Sequence, residues 1–203
     1  NISNVDLQLT AAQMYWTVGA VLLVGPFLAL LTVPGDWFDR WFTDLSTRAM
    51  AMRAEIFAVG VALLAFGLAL FFAIYSFDRR PTTADEIAQL WHARMLLEAR
   101  LAMPPDPNPE FFAIDNVIDS PRWMSQFPIG GPAFLAVGML FHAEWALNAI
   151  LSALIVLNVY FFARRVYNEP QARVAAGVMA LSPMLLLMGG TQMNHTPTAW
   201  LAT

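Results

Sequence analysis

The chain has 203 residues, of which 58% are hydrophobic and only 13% charged, with a net charge of −4 and no cysteine. Soluble domains carry about 25% charged residues, so this composition belongs to an integral membrane protein. It excludes disulfides and thiolate metal sites. The scattered acidic excess, with no arginine-rich patch among aromatics, also excludes a nucleic-acid partner.

Four segments are apolar enough to cross a bilayer: about 11–33, 55–77, 145–163 and 171–190. The second holds an uncharged run from Ile56 to Phe77, which spans roughly 33 Å as a helix against a hydrocarbon core of about 30 Å. Between the first two lies the 34–54 connector. Its Trp37, Phe38, Trp41 and Phe42 recur on one face among Asp36, Asp39, Arg40 and Asp44. That pattern predicts either an amphipathic helix at headgroup level or an aromatic belt flanking a span.

After the second span, Thr83 to Leu101 reads as a helix whose apolar side is Ile87, Leu90, Trp91, Met95 and Leu97. The run Met103-Pro-Pro-Asp-Pro-Asn-Pro then has to be extended. The next apolar stretch, 127–143, is short and opens on Phe-Pro-Ile-Gly-Gly-Pro, which disfavours helix at several points. Charge sets its topology. Arg164, Arg165 and Arg173 cluster in one short loop, and Arg40, Arg48 and Arg53 lie in the 34–54 connector. The positive-inside rule puts both in the cytoplasm, which requires that 127–143 does not cross and that 78–144 lies outside. A re-entrant or interface-lying helix is the expectation. The predicted class is therefore all-α, a polytopic transmembrane bundle with interface-lying helices in a long extracytoplasmic loop. Its two parts are 1–54, an extra span with an amphipathic cytoplasmic connector, and 55–203, which carries the outer loop 78–144. The apolar run begun at Val174 reaches the last residue, Thr203, so a longer chain is expected.

Polar residues beside lipid are where function concentrates. Asp85 and Glu86 follow the charge-free span. Thr83-Ala-Asp-Glu86 fits a capping box, with Glu86 reaching back to the Thr83 amide. Asp85 can serve at the same time as a general base toward an acceptor hydroxyl. His92 projects from a face similar to that of Asp85, as a partner or as an exposed helix histidine. Arg79, Arg80, Arg94 and Arg122 are cations able to hold a phosphate; headgroup anchoring is the alternative for Arg79 and Arg80. Gln126 opens the glycine- and proline-rich turn, which is either a ligand cavity or a plain helix start. Gln192, Asn194, His195 and Thr196 form a polar knot in an apolar run that has to face protein or water.

The order of these features resembles a family. Ala84-Asp85-Glu86 is followed by Ala88-Gln-Leu-Trp-His-Ala-Arg-Met and Pro109-Glu-Phe-Phe. Arg122-Trp-Met-Ser-Gln-Phe-Pro-Ile-Gly-Gly-Pro comes next, then Val159-Tyr-Phe-Phe-Ala-Arg-Arg-Val-Tyr, Ala180-Leu-Ser-Pro and Met193-Asn-His-Thr. The set looks like the GT-C membrane glycosyltransferases of the protein O-mannosyltransferase and lipid A aminoarabinose transferase type, over residues 75–203. The resemblance implies inverting transfer of a sugar from a polyprenyl-phosphate donor to an acceptor lipid, glycan or protein, outside a bacterial inner membrane. It makes Asp85 and Glu86 catalytic, with His92, Arg94, Arg122, Gln126, Asn194 and His195 around the substrates. Some relatives carry an acidic residue or lysine where Arg122 and Gln126 stand, so a divalent metal cofactor stays open. The rival class is a transporter or flippase-like bundle, which calls for polar groups within the spans.

Overall fold

A computed structural model describes residues 35–105, 116–118 and 121–203. The span expected at 11–33 and the Pro109-Glu-Phe-Phe segment lie outside the described residues. The chain divides into two compact units, 1–52 and 53–203.

The first unit contributes α1, Gly35–Ala51. Asp36–Arg40 and Asp44–Arg48 are i,i+4 ion pairs on its polar side, and both are solvent-exposed. Trp37 and Trp41 stack in parallel with ring centroids 6.4 Å apart, and both remain exposed beside Phe42. An amphipathic helix therefore forms where the aromatic spacing predicted one.

The second unit is mostly helical. It begins with α2 (Ala54–Phe71), which runs on through a π-helical turn, Phe72–Ser76. The combined 23 residues are long and apolar enough to cross a membrane, as is α5 (Glu144–Val166), also of 23 residues. Between them come α3 (Ala84–Leu97), the two-residue strands β1 (Val117–Ile118) and β2 (Met124–Ser125), and α4 (Gly130–Leu140). The strands pair antiparallel, Val117 opposite Ser125, and Met103 bridges to Trp123 beside them. The chain ends with α6 (Glu169–Ala180), α7 (Pro183–Gly190) and α8 (His195–Ala202).

The inner face of α2 is made of alanine. Ala58, Ala62, Ala65, Ala69 and Ala73 are all buried, whereas Ile56, Val59, Leu63, Leu64 and Phe71 point outward. Lipid tails solvate large apolar side chains as well as a protein core does, so membrane helices pack through small residues that let backbones approach. The closest approach is at Gly189 of α7. A Cβ there would lie 2.3 Å from Ser152 Oγ and 3.0 Å from Ala69 Cβ.

Three expectations are corrected here. The 171–190 segment is not one helix: α6 and α7 meet at a bend of 51°. Pro183 has no N–H to continue the ladder and forces Ser182 into an extended conformation (φ −63°, ψ 119°). The helix expected over 83–101 stops at Leu97. It closes in a Schellman motif, with Arg100 N–H donating to Met95 O and Ala99 at φ +57°, a left-handed position that glycine usually fills. Its buried side is only in part the apolar one expected: Met95 is buried and Leu90 packs against α4. Ile87 and Leu97 are exposed, and Glu86, Gln89 and His92 turn inward instead. The 127–143 stretch yields only the eleven residues of α4, about 16 Å long and half a bilayer core.

The two ends of the helix bundle differ. At one, Arg173 of α6 lies over the Phe57 ring of α2 at 5.0 Å, and Tyr160 of α5 donates to Glu169 Oε1 at 2.6 Å. Arg53, Arg164, Arg165 and Arg173 thus gather where α2 begins, α5 ends and α6 begins. The chain leaves α2 and its π-helical turn after Ser76, and enters α5 at Glu144, at the opposite end.

Candidate functional site

At that opposite end the chain leaves the span with Asp78 and Arg79 both in left-handed conformation (φ 51° and 58°). Thr83 then caps α3, its hydroxyl accepting from Glu86 N–H at 3.3 Å. The reciprocal half of the expected capping box is shifted by one residue. Glu86 Oε2 accepts from the Thr82 N–H and hydroxyl, not from the Thr83 amide. The reason is a third partner: Glu86 Oε1 accepts from Gln192 N–H at 3.1 Å, which draws the carboxylate toward the 191–194 loop. With 0% exposure and both oxygens engaged, Glu86 ties α3 to that loop.

Asp85, one residue earlier, is half-buried and faces a different neighbour. Asn116 Nδ2 donates to Asp85 Oδ1 at 2.6 Å. Asn116 Oδ1 in turn accepts from Gln126 Nε2, and Asn116 O accepts from Gln126 N–H at 3.0 Å. Asn116 sits at φ +68°, where asparagine is tolerated and most residues are not. The strand pairing thus brings Gln126 to Asn116 and Asn116 to Asp85, fixing the carboxylate's orientation while leaving it partly open to solvent.

His92 is not the exposed helix histidine that was one expectation. It is 3% exposed, and neither ring nitrogen has a hydrogen-bond partner among the described residues. Burial lowers its pKa from the ordinary imidazole value, with the nearby Leu101 backbone acting weakly in the other direction without completing a hydrogen bond. The imidazole is therefore neutral near pH 7. Gln89, one turn earlier, is fully buried against Gly131, where an added Cβ would meet Gln89 Oε1 at 3.0 Å and Asn194 Cβ at 2.6 Å. This tight contact makes the glycine-rich turn a helix start packed on α3.

The 191–194 loop is pinned from a second side. Asn148 Nδ2 of α5 donates to Thr191 O and Met193 O, each at 2.8 Å, and Gln192 Nε2 donates to Arg79 O at 3.3 Å. Asn194 is the partly buried N-cap residue of α8, and its carbonyl accepts from Thr198; His195 is exposed. Of the arginines, Arg79 lies over the Trp145 ring at 4.7 Å and Arg80 pairs with Asp78 at 3.2 Å. Arg94 and Arg122 are exposed. Trp123, next to Arg122, packs on Trp91 of α3 at 4.4 Å between centroids, which keeps Arg122 near the Asp85 helix.

The site thus joins Asp85, Glu86, Gln126, Asn194 and the α3 face bearing His92, and leaves Arg94, Arg122 and His195 on the surface around it. Sequence reasoning missed Asn116, Gln89, Asn148 and Thr82. Asn148 carried a readable signal, a lone amide within an apolar span; Asn116 became visible only through pairing. Among the described residues, no three acidic or histidine side chains converge as a metal would need. The chain matches no protein-family profile, no curated protein and no solved structure.

Proposed function

We propose that this chain carries the acidic site of a membrane glycosyltransferase that uses a polyprenyl-phosphate sugar as donor. The observation that carries this reading is Asp85: a carboxylate oriented by Asn116, partly open to water, just beyond the end of a 23-residue apolar helix. A water-borne acceptor and a lipid-bound donor meet at that height. Asp85 takes the proton of the acceptor hydroxyl as its oxygen bonds to the anomeric carbon, from the face opposite the phosphate. The bond from that carbon to the phosphate oxygen breaks, and its electron pair leaves on polyprenyl phosphate, a stable anion once arginine counters its charge. The candidate for that role is the exposed Arg122, next to the Trp123 that packs on α3. Glu86 positions the 191–194 loop. A divalent metal, if one takes part, would act on the leaving phosphate.

The arginines gathered at the far end of the bundle support a cytoplasmic side there and an extracytoplasmic 78–144 segment. Cysteines introduced at Glu98 and Tyr167 should be labelled from opposite sides of the membrane; labelling of both from outside overturns the orientation. The test of activity uses the full-length protein in membranes with polyprenyl-phosphate hexoses and pentoses. Release of polyprenyl phosphate is expected from the wild type and lost in Asp85→Asn. An equal rate in that variant removes the reading. The 51° break between α6 and α7 favours a second one, a transporter, since broken helices line transport sites. It is selected instead if the membranes move a solute with no sugar transfer.

A further inference from the structure

Among the described residues, eight buried side-chain nitrogen and oxygen atoms have no hydrogen-bond partner. Seven belong to one end of the bundle: Gln89 Nε2 and Oε1, His92 Nδ1 and Nε2, Asn148 Oδ1, Gln192 Oε1 and Thr196 Oγ1. The eighth, Glu169 Oε2, is ion-paired with Arg164 at 3.0 Å. An orphaned buried polar atom costs about 1–3 kcal/mol, and folded proteins rarely concentrate several in one place without a purpose.

Their placement is continuous. Positions 85, 89 and 92 fall within about 60° of one another around the α3 axis, so Asp85 stands at the outer end of a polar file that Gln89 and His92 extend inward. Gln89 reaches Gly131 alongside Asn194, two residues before Thr196, and Gln192 joins the file through Glu86. The groups are amides, a hydroxyl and an imidazole kept neutral by burial. They offer donors and acceptors together and no positive charge; the carboxyls Asp85 and Glu86 adjoin the file, while the Arg79 guanidinium lies over the Trp145 ring and His195 is exposed. An anion such as phosphate finds no counter-charge here, whereas a hydroxyl, which donates and accepts at once, satisfies both kinds of orphan.

We infer that Gln89, His92 and Thr196 form a subsite for the hydroxyl groups of a neutral polyhydroxylated ligand, which under the proposed function is the sugar ring of the donor. The phosphate stays outside, toward Arg122, and the anomeric carbon lies between the two regions beside Asp85. The subsite is closed in the present arrangement, and its opening separates α3 from the 191–194 loop.

The test measures binding separately from turnover. Full-length protein is titrated with polyprenyl-phosphate hexoses and pentoses, and with plain polyprenyl phosphate, while the fluorescence of the Trp91–Trp123 pair is followed. At least one sugar-bearing lipid should bind the wild type about tenfold more tightly than the plain carrier. Gln89→Met and Thr196→Val, which remove the polar atoms at similar volume, should each reduce that margin severalfold while plain-carrier affinity holds and the thermal midpoint holds or rises. Retention of the full margin in both variants, or no margin in the wild type with any sugar, overturns the subsite. A lowered midpoint with unchanged margins means that these atoms hold internal water only, which also overturns it. Sugar-selective binding without any transfer would instead sink the proposed activity and leave the subsite standing.

Discussion

The two ends of the bundle treat buried polar groups in opposite ways. At the arginine-rich end, Glu169 accepts from Tyr160 and from Arg173 (2.7 Å) and pairs with Arg164, and the Arg173 guanidinium, 5% exposed, also covers the Phe57 ring. Glu169 and Arg173 are both paired there, and the result is a clasp between α5 and α6. At the other end Glu86 is equally well satisfied, but around it Gln89, His92 and Thr196 are not. Closed networks hold helices together, whereas the open one leaves the bonds that the proposed ligand would complete.

The comparison can be broken most directly at Asp85. Asp85→Asn keeps the shape and the Asn116 contact but removes the base, so transfer should fall by about 10²- to 10⁴-fold with little change in thermal stability. A variant that unfolds instead would make Asp85 part of a clasp like Glu169. At the arginine end the expectation reverses. Arg173→Ala leaves Glu169 with only Tyr160 and Arg164, uncovers the Phe57 ring and should cost about 1–3 kcal/mol, read as a lowered thermal midpoint in micelles. Adding Glu169→Gln should recover part of that loss, and a midpoint unchanged in the single variant would show that packing alone holds this end.

Smaller effects sharpen the picture. Asn116→Gly removes the amide that orients Asp85 yet tolerates φ +68°, so transfer should drop about tenfold with stability held within about 1 kcal/mol. Equal activity would mean that the carboxylate needs no orientation. The mildest effect is with pH. The folded-state pKa of His92 is depressed, so its unfolded form binds the proton first. Stability is complete above about 6.5 and declines as pH falls from there toward the folded value. The thermal midpoint of the wild type should therefore drop more between pH 7.5 and 5.5 than that of His92→Gln; parallel curves would place the imidazole in contact with water.

Much of the frame was legible because length without charge is a direct signal: 55–77 and 145–163 became 54–76 and 144–166. The break at Pro183 was in plain view, but hydropathy sums side chains and is blind to a missing amide. The end of α3 was hidden because Ala99, and not glycine, takes the left-handed position. The polar inner face of α3 could not be read from apolar periodicity, because what it packs on, the 191–194 loop, is itself polar and more than a hundred residues away. Asn116 lay thirty-one residues from Asp85, with nothing local to join them.

The alanine face of α2 has a bearing on how the molecule moves. Alanine has no side-chain rotamers to freeze, so these positions of α2 join the contact with α5 at no cost in their own side-chain freedom and offer no flexible side chain to absorb a shift. The pairing therefore behaves as a stiff rail. The displacement that the proposed subsite requires falls on α3 and the 191–194 loop, which Glu86 joins through a single hydrogen bond to the Gln192 N–H.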